Sequence, residues 1–380
     1  MNIAYFIDNV INHGGTQRII IDKANYLAGL QGYNVYLVCL GSKCYTRPAY
    51  PIDIRVQIYH LDESFNPSCS LYKNPIRFAW QWLKWRRSIA RKVKEFHAAH
   101  HIDLSISLAY DCTMPYNSKR IPHIYESHAY RPMAELLSIV PRLTHFVVSN
   151  FVTRGANVVA LTQADASEWK EAARVEIIPN FTNIRPAGPY NPNSKKIIAV
   201  GRLDDQKGFD LLVKAWSKVA QRFPNHSLEI FGSGQLFAQL DQLIKDKGLI
   251  EHVHLRGVTD DMPAAFSEGE AFVLSSRFEG FPLVLIEAMA CGIPPVAFDC
   301  PHGPSDLVDD GLNGILVPFK NLSDAERIDK LADGLCRMLA LSDEEREQMS
   351  AEAMKKAASF SREAIMERWV KLFKEVAECE

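Results

Sequence analysis

Residues 197–216 read IIAVGRLDDQKGFDLLVKAW. A short apolar run ends at a glycine, a polar loop follows, and an amphipathic segment over 208–222 continues from it. Short unbroken apolar runs suit strands covered on both faces, and such strands belong to parallel sheets joined by crossover helices. The stretch therefore predicts a strand, a glycine-bearing loop and a helix. The same alternation runs outward in both directions. Strands are predicted at 2–8, 34–40, 55–61, 103–108, 123–128, 157–162 and 175–179, then at 196–201, 227–232, 252–256, 271–275, 295–299 and 314–317. Amphipathic runs such as 235–247 lie between them, and 321–380 is helical only. The fold class is α/β, with two Rossmann-like domains of parallel sheet.

At 380 residues the chain exceeds one ordinary core, and two domains of roughly 150–200 residues fit it. The segment FTNIRPAGPYNPNS, 181–194, is the one clear linker. The expected division is 1–185, 186–360 and a last helix, 361–380, packing back toward the N-terminal domain. With 47% apolar and 23% charged residues the composition is that of an ordered globular chain. No apolar run is long enough to span a bilayer. The start MNIAYFIDNV reads as a strand without the features of a signal peptide, so a cytoplasmic location is expected. The eight cysteines are scattered without a CxxC pair, which favours reduced, buried thiols over disulfides or zinc. Net charge is −2, but residues 1–190 carry +7 and residues 191–380 carry −9, so the basic half is expected to meet an anionic partner.

Ligands of open α/β sheets bind at the carboxyl ends of strands, and two such sheets facing each other place the site in the cleft between domains. After the strand at 196–201 come Gly201, Arg202, Lys207 and Gly208. Two cations on flexible backbone form a receptor for phosphates. The next strand ends in FGSG, 231–234, where Gly232 stands, but the motif lacks the last glycine of GxGxxG. The third element is SRFEGFPLVLIEAMACG, 276–292. Gly280 permits close backbone approach, Pro282 suits a first helical turn, and the N–H groups of 283–285 are expected to favour an anion. Glu279 and Glu287 are about two helical turns apart in apolar company. A buried carboxylate needs donors, and the hydroxyls of sugar and ribose supply them. Helix capping by Glu279 and pairing of Glu287 with a core arginine are the structural alternatives.

GRLDDQKG, FEGFPLVLIEAMACGIPPV and DGLNGILVP, in this order, resemble the donor half of retaining glycosyltransferases of family 4, which have the two-domain GT-B fold. Glu279-x7-Glu287 matches the E-x7-E signature of that family. The likeness is strong over 195–320 and looser over the first half, where HGGTQR, 13–18, matches the family's glycine loop. The resemblance implies that Arg202 and Lys207 hold the diphosphate of a nucleotide-sugar, with backbone at Phe281, Pro282 and Leu283. Glu287 would bind ribose and Glu279 the donor sugar. Gly14 and Gly15 would approach the reacting centre from the facing domain, and His128 in YESHAY matches the family's histidine near the sugar. The sequence departs at IPNFTN, 178–183, where Asn180 is kept and the family's following glycine is lost.

Front-face substitution with retention is the course the resemblance implies. No D-x-D occurs, so no metal and no other cofactor is expected, and the cations and helix start replace it. Residues 73–96 hold eight basic residues, one acidic residue and three tryptophans. Phe78, Trp82, Trp85, Ile89, Val93 and Phe96 form an apolar stripe beside a basic one of Lys84, Arg87, Arg91 and Lys94. Contact with an anionic membrane surface and packing into the core both fit. Membrane contact, on the inner face of the cell membrane, suits a lipid-diphosphate-linked glycan acceptor in polysaccharide, LPS or capsule assembly. DCPHGPSDLV, 299–308, resembles the loop of hexosamine and galactose transferases, pointing to a UDP-sugar. The runner-up readings are a GDP-mannose-dependent enzyme of the same fold, an NAD-dependent oxidoreductase and a non-catalytic sugar-binding protein. Nucleic acid is not an expected partner.

Overall fold

The computed structural model describes residues 1–11, 14–41, 47–62, 75–108, 121–128, 156–170 and 172–378. The chain divides into two compact units, Met1–Leu161 with Asp165–Ile178 and Met366–Glu380, and Thr162–Ala164 with Pro179–Ile365. The division falls at 178/179, earlier than the expected 185/186. The reason is long-range: the Thr182 N–H donates to the Phe360 carbonyl, which fastens the start of the linker to the second unit. The last helix changes unit at Met366.

In the first unit the strands are β1 (Asn2–Ile7), β2 (Asn34–Cys39), β3 (Gln57–His60), β4 (Leu104–Leu108), β5 (His123–Glu126), β6 (Asn157–Ala160) and β7 (Arg174–Ile177). They form one sheet in the order β3-β2-β1-β4-β5-β6-β7 with every pairing parallel. Helices α1 (Gly15–Ala28), α2 (Pro75–His100) and α3 (Gln163–Ala166) fall between the strands. The apolar runs of β1 and β2 are buried almost throughout, which is why they lack polar alternation.

The second unit has β8 (Lys196–Val200), β9 (Ser227–Phe231), β10 (Val253–Gly257), β11 (Ala271–Leu274), β12 (Pro295–Phe298) and β13 (Ile315–Val317). Their order is β10-β9-β8-β11-β12-β13, again all parallel. The helices are α4 (Phe209–Arg222), α5 (Phe237–Asp246), α6 (Met262–Ser267), α7 (Leu283–Ala290), α8 (Pro304–Leu307), α9 (Asp324–Leu339), α10 (Asp343–Ala358) and α11 (Arg362–Glu378). α4 packs on α9 over a core that holds Trp216, Phe298 and Leu335, while α10 covers α7. α9 and α10 each start at a serine in a full capping box, Ser323 with Glu326 and Ser342 with Glu345, so both helix starts are fixed locally.

Helix α2 resolves its two readings by face. Trp85, Ile89, Val93 and Phe96 are buried beside Phe6 and Tyr36, so the apolar stripe is core. Lys84, Arg87, Arg91 and Lys94 are exposed, and beside them Trp80 and Leu83 are 63% and 47% exposed. The side chain of Phe78 and residues 73–74 lie outside the described residues. Cys39, Cys291, Cys300 and Cys336 are free and buried, and Cys44, Cys69, Cys112 and Cys379 lie outside the described residues. Among the described residues no helix is long and apolar enough to cross a membrane.

Candidate functional site

In the second sheet the strand order reverses between β8 and β11, so the loops after these two strands occupy the switch point where doubly wound sheets bind ligands. The loop after β8 is built tightly. Asp204 caps the 3-10 turn Asp205–Lys207 by accepting from the Lys207 N–H. Gly208 follows at φ +61°, and a Cβ there would lie 2.2 Å from the Ser275 carbonyl oxygen. Only glycine fits this position. Ser275 Oγ donates to the Lys207 carbonyl, and the Arg277 N–H donates to the Gln206 carbonyl. The Arg277 guanidinium forks onto Asp210 at 2.8 and 2.9 Å. These contacts lock the loop after β8 to the segment after β11.

The lock sets one short distance. Lys207 Nζ lies 2.8 Å from Glu279 Oε1, and the two side chains are 15% and 5% exposed. The lysine stem runs along Gly201, where a Cβ would meet Lys207 Cγ at 3.0 Å. Arg202 is more open. Its Nε donates to Asp204 at 2.9 Å and its Nη2 to Gln206 at 2.8 Å, while Gln206 Nε2 donates to the Phe278 carbonyl at 3.2 Å. Such exposed pairs add little stability, and what they supply is orientation of the guanidinium. Gly232, after β9, has φ +143°, and a Cβ would sit 1.8 Å from the Gly201 carbonyl oxygen. The FGSG stretch is therefore a constraint on the same loop, although it looked weak as a motif.

Glu279 precedes α7, and its N–H donates to the Pro301 carbonyl. Glu287 is buried in the middle of α7, so Glu279 stands just before the helix and Glu287 within it, as the sequence indicates. Pro282 is the N-cap of α7. The expectation of three outward N–H groups at 283–285 is corrected: Leu283 donates to the Phe281 carbonyl and Leu285 to the Pro282 carbonyl. The cap residue has no side-chain acceptor for them, so the chain closes its own turn. The Phe281 ring lies beside Phe360 at 6.1 Å between centroids. Burial and the nearby Glu279 hold the Cys300 thiol well above its ordinary range. Two buried polar atoms, Ser276 Oγ and Asp299 Oδ1, have no partner among the described residues. They follow the carboxyl ends of β11 and β12, and orphaned buried atoms of this kind mark a place that a ligand or water completes.

The other expected residues belong to the first unit. Gly14 caps α1 in an extended conformation, and Tyr50 Oη donates to its carbonyl at 3.3 Å; Gly15 is the first residue of α1, and His13 lies outside the described residues. His128 Nε2 lies 2.7 Å from Glu126 Oε2, the same oxygen that accepts from Lys23 Nζ at 2.7 Å. Sequence reasoning missed Lys23, Glu126, Asp204, Gln206 and Arg277. Lys23 carried a signal: it stands four residues from Ile19 and four from Leu27, on the apolar face of α1. Among the described residues no group of three or more His, Cys, Asp or Glu side chains could hold a metal ion.

Two domain families match the chain in succession, Glycosyltransferase Family 4 over residues 13–185 and Glycosyl transferases group 1 over residues 180–356. An uncharacterized glycosyltransferase of Haemophilus influenzae is 29% identical over 372 residues, covering 97% of this chain and 98% of that protein. Further curated relatives match 45–58% of this chain, and the match covers only 23–60% of their own length. Among solved structures, sucrose-phosphate synthase of Thermosynechococcus elongatus superposes with a TM-score of 0.78 at 18% identity, covering 100% of both chains. A variant of Staphylococcus aureus TarM, in complex with fondaparinux, α-GlcNAc-glycerol and UDP, superposes with a TM-score of 0.75 at 16% identity over 98% of this chain and 99% of that one. The motifs, the two parallel sheets and these matches agree: the chain belongs to the GT-B glycosyltransferases of family 4, with a group 1 domain as its second half.

Proposed function

We propose that this glycosyltransferase moves a hexose or N-acetylhexosamine from a UDP-sugar, with retention of configuration, to a lipid-linked glycan acceptor in the assembly of a surface polysaccharide. The observation that carries the reading is the 2.8 Å contact of Lys207 with Glu279 at the switch point of the second sheet, beside Arg202. Arg202 and Lys207 supply the positive charge for a diphosphate, and Glu287 accepts from the ribose hydroxyls. Glu279 has one oxygen engaged by Lys207 and offers the other to a hydroxyl of the donor sugar. A carboxylate held by a cation is a poor nucleophile, so front-face departure of the diphosphate is favoured over a covalent intermediate. As the anomeric bond breaks, charge grows on the diphosphate, and each preorganised donor aimed at it contributes about 3–4 kcal/mol. The cations carry this charge without a metal ion.

UDP in the TarM complex supports the choice of base, and α-GlcNAc-glycerol there supports transfer of a hexosamine. Trp80, Leu83 and the exposed cations of α2 suit an anionic membrane surface, where a lipid-linked acceptor resides. A screen of nucleotide-sugars for slow hydrolysis without acceptor tests the donor. Release of UDP from one UDP-sugar, with the anomer of the transferred product retained, is the expected result. Turnover of GDP-mannose alone would replace the donor.

A further inference from the structure

β11 and β12 lie side by side in the second sheet, in a register that sets Leu274 beside Ala297. Beyond the strand ends the two segments stay together, since the Glu279 N–H donates to the Pro301 carbonyl at 3.1 Å. Ser276 and Asp299 both fall inside this bracket, each two residues past the last register pair. His302 and Gly303 follow with φ of +64° and +103°, and a Cβ on Gly303 would lie 2.5 Å from Pro282 Cδ at the start of α7. Left-handed backbone at a histidine persists only where its surroundings enforce it, and here the loop is pinned to α7. In this pinned place two polar atoms are buried and unpaired, Ser276 Oγ and Asp299 Oδ1. Ser276 is 1% exposed, so bulk water does not serve it. The Asp299 N–H donates to the Val317 carbonyl at 2.7 Å, so it is the side-chain oxygen that is left open. Charge narrows what completes the pair. The Cys300 thiol, next in the chain, is raised by burial first and then by Glu279, with Lys207 opposing and Asp299 adding. Two carboxylates and one ammonium therefore lie about one buried point, and the ammonium is already engaged by Glu279 at 2.8 Å. The balance at Asp299 is negative, which disfavours a phosphate there. A carboxylate oxygen only accepts, while a serine hydroxyl accepts and donates, and a neutral hydroxyl group satisfies both.

We propose that Ser276 and Asp299 are specificity-determining residues that together hold one hydroxyl of the donor sugar: Asp299 Oδ1 accepts a hydrogen bond from it and Ser276 Oγ donates one to its oxygen. This rests on the reading of this end of the second sheet as the donor site. A site built to hydrogen-bond a hydroxyl discriminates strongly against the analogue that lacks it, because its own buried groups then go unpaired. Glu279 has one oxygen on Lys207 and one for the sugar, so the two further atoms let the unit read a second hydroxyl.

Asp299→Asn and Ser276→Ala, made separately in the full chain, test it. The measurements are hydrolysis of the nucleotide-sugar that the donor screen selects, hydrolysis of its monodeoxy analogues, and titration with its nucleoside diphosphate, which lacks the sugar. Both variants should bind the nucleoside diphosphate as the parent does. For the intact donor, Asp299→Asn should lose at least about tenfold in kcat/KM and Ser276→Ala about fivefold, as charged and neutral hydrogen bonds are worth. One monodeoxy donor, the one without the hydroxyl that is read, should be hydrolysed by parent and Asp299→Asn within about twofold of each other, while the loss persists on the rest. A kcat/KM equal to the parent's in Asp299→Asn overturns the proposal. So does a loss of one size on the intact donor and on every monodeoxy donor, because an oxygen that holds only water or the fold acts in that way. If one variant does not fold, the other is read against the same set of donors. A parent that does not bind the nucleoside diphosphate brings down the reading of the donor site itself, which is a separate failure.

Discussion

Replacing Lys207 with methionine keeps the stem that lies along Gly201 and removes only the ammonium group. Glu279 is then a carboxylate at 5% exposure without its cation. Breaking a buried pair by removing one partner costs about 3–5 kcal/mol. Lys207 is 15% exposed, so water reaches its end of the pair and the lower figure, about 3 kcal/mol, applies. At about 2–4 °C per kcal/mol for a unit of this size, the midpoint should fall by roughly 6–12 °C. Glu279→Gln leaves the more exposed partner behind and should cost less. Combining the two changes removes both charges and should recover most of the loss, a coupling of about 2 kcal/mol. Activity should follow another course: each single change and the combination should lose at least about a hundredfold in donor hydrolysis, because each removes a group aimed at the reacting centre. Thermal melts with hydrolysis assays on the same preparations read both quantities. A double variant as unstable as Lys207→Met, or one as active as the parent, refutes the reasoning.

Three further outcomes follow from the same structure. Gly232→Ala forces a Cβ to 1.8 Å from the Gly201 carbonyl oxygen, so a loss of at least about 3 kcal/mol is expected in urea melts, and a midpoint equal to the parent's would contradict it. His97 and His123 are buried neutral, held at about 4 and about 3 by burial, so the unfolded chain takes up protons first as pH falls below about 6.5. Stability should therefore drop by roughly 2 kcal/mol per histidine between pH 6.5 and 5, and urea midpoints that stay level over that range would refute it. Changing Lys84, Arg87, Arg91 and Lys94 to glutamine should leave folding intact and weaken binding to anionic vesicles on the order of a thousandfold, at about 1 kcal/mol per cation. If the parent shows no vesicle binding even at low salt, the basic face of α2 only faces water.

Much of the architecture was legible because parallel strands are covered on both faces. NVYLVCL and AFVLSS had no polar alternation to confuse, and the thirteen strands among the described residues fall within or close to the expected ranges, although the edge strands β3 and β7 are exposed or half-buried and less apolar. The unit boundary was less legible, since a bond between Thr182 and Phe360 leaves no local trace. Arg202, Lys207 and Glu279 were marked by charge beside glycine, but the meeting of Lys207 with Glu279 spans 72 residues and arises only on folding. The position of Glu279 just ahead of α7 was legible, because Pro282 marks the start of that helix in the sequence. In α2 the sequence held both a core stripe and a basic stripe, and only packing separated Trp85 from Trp80.

The central claim is that the second unit holds a nucleotide by Arg202, Lys207 and Glu287. Titration calorimetry of UDP into the parent and into Glu287→Ala tests it most directly, with NAD as the control. The account predicts that UDP binds the parent, that NAD does not, and that the variant binds UDP at least about tenfold more weakly, because the ribose contact exists before any reaction. Equal affinity of parent and variant for UDP, or binding of NAD in its place, would contradict it.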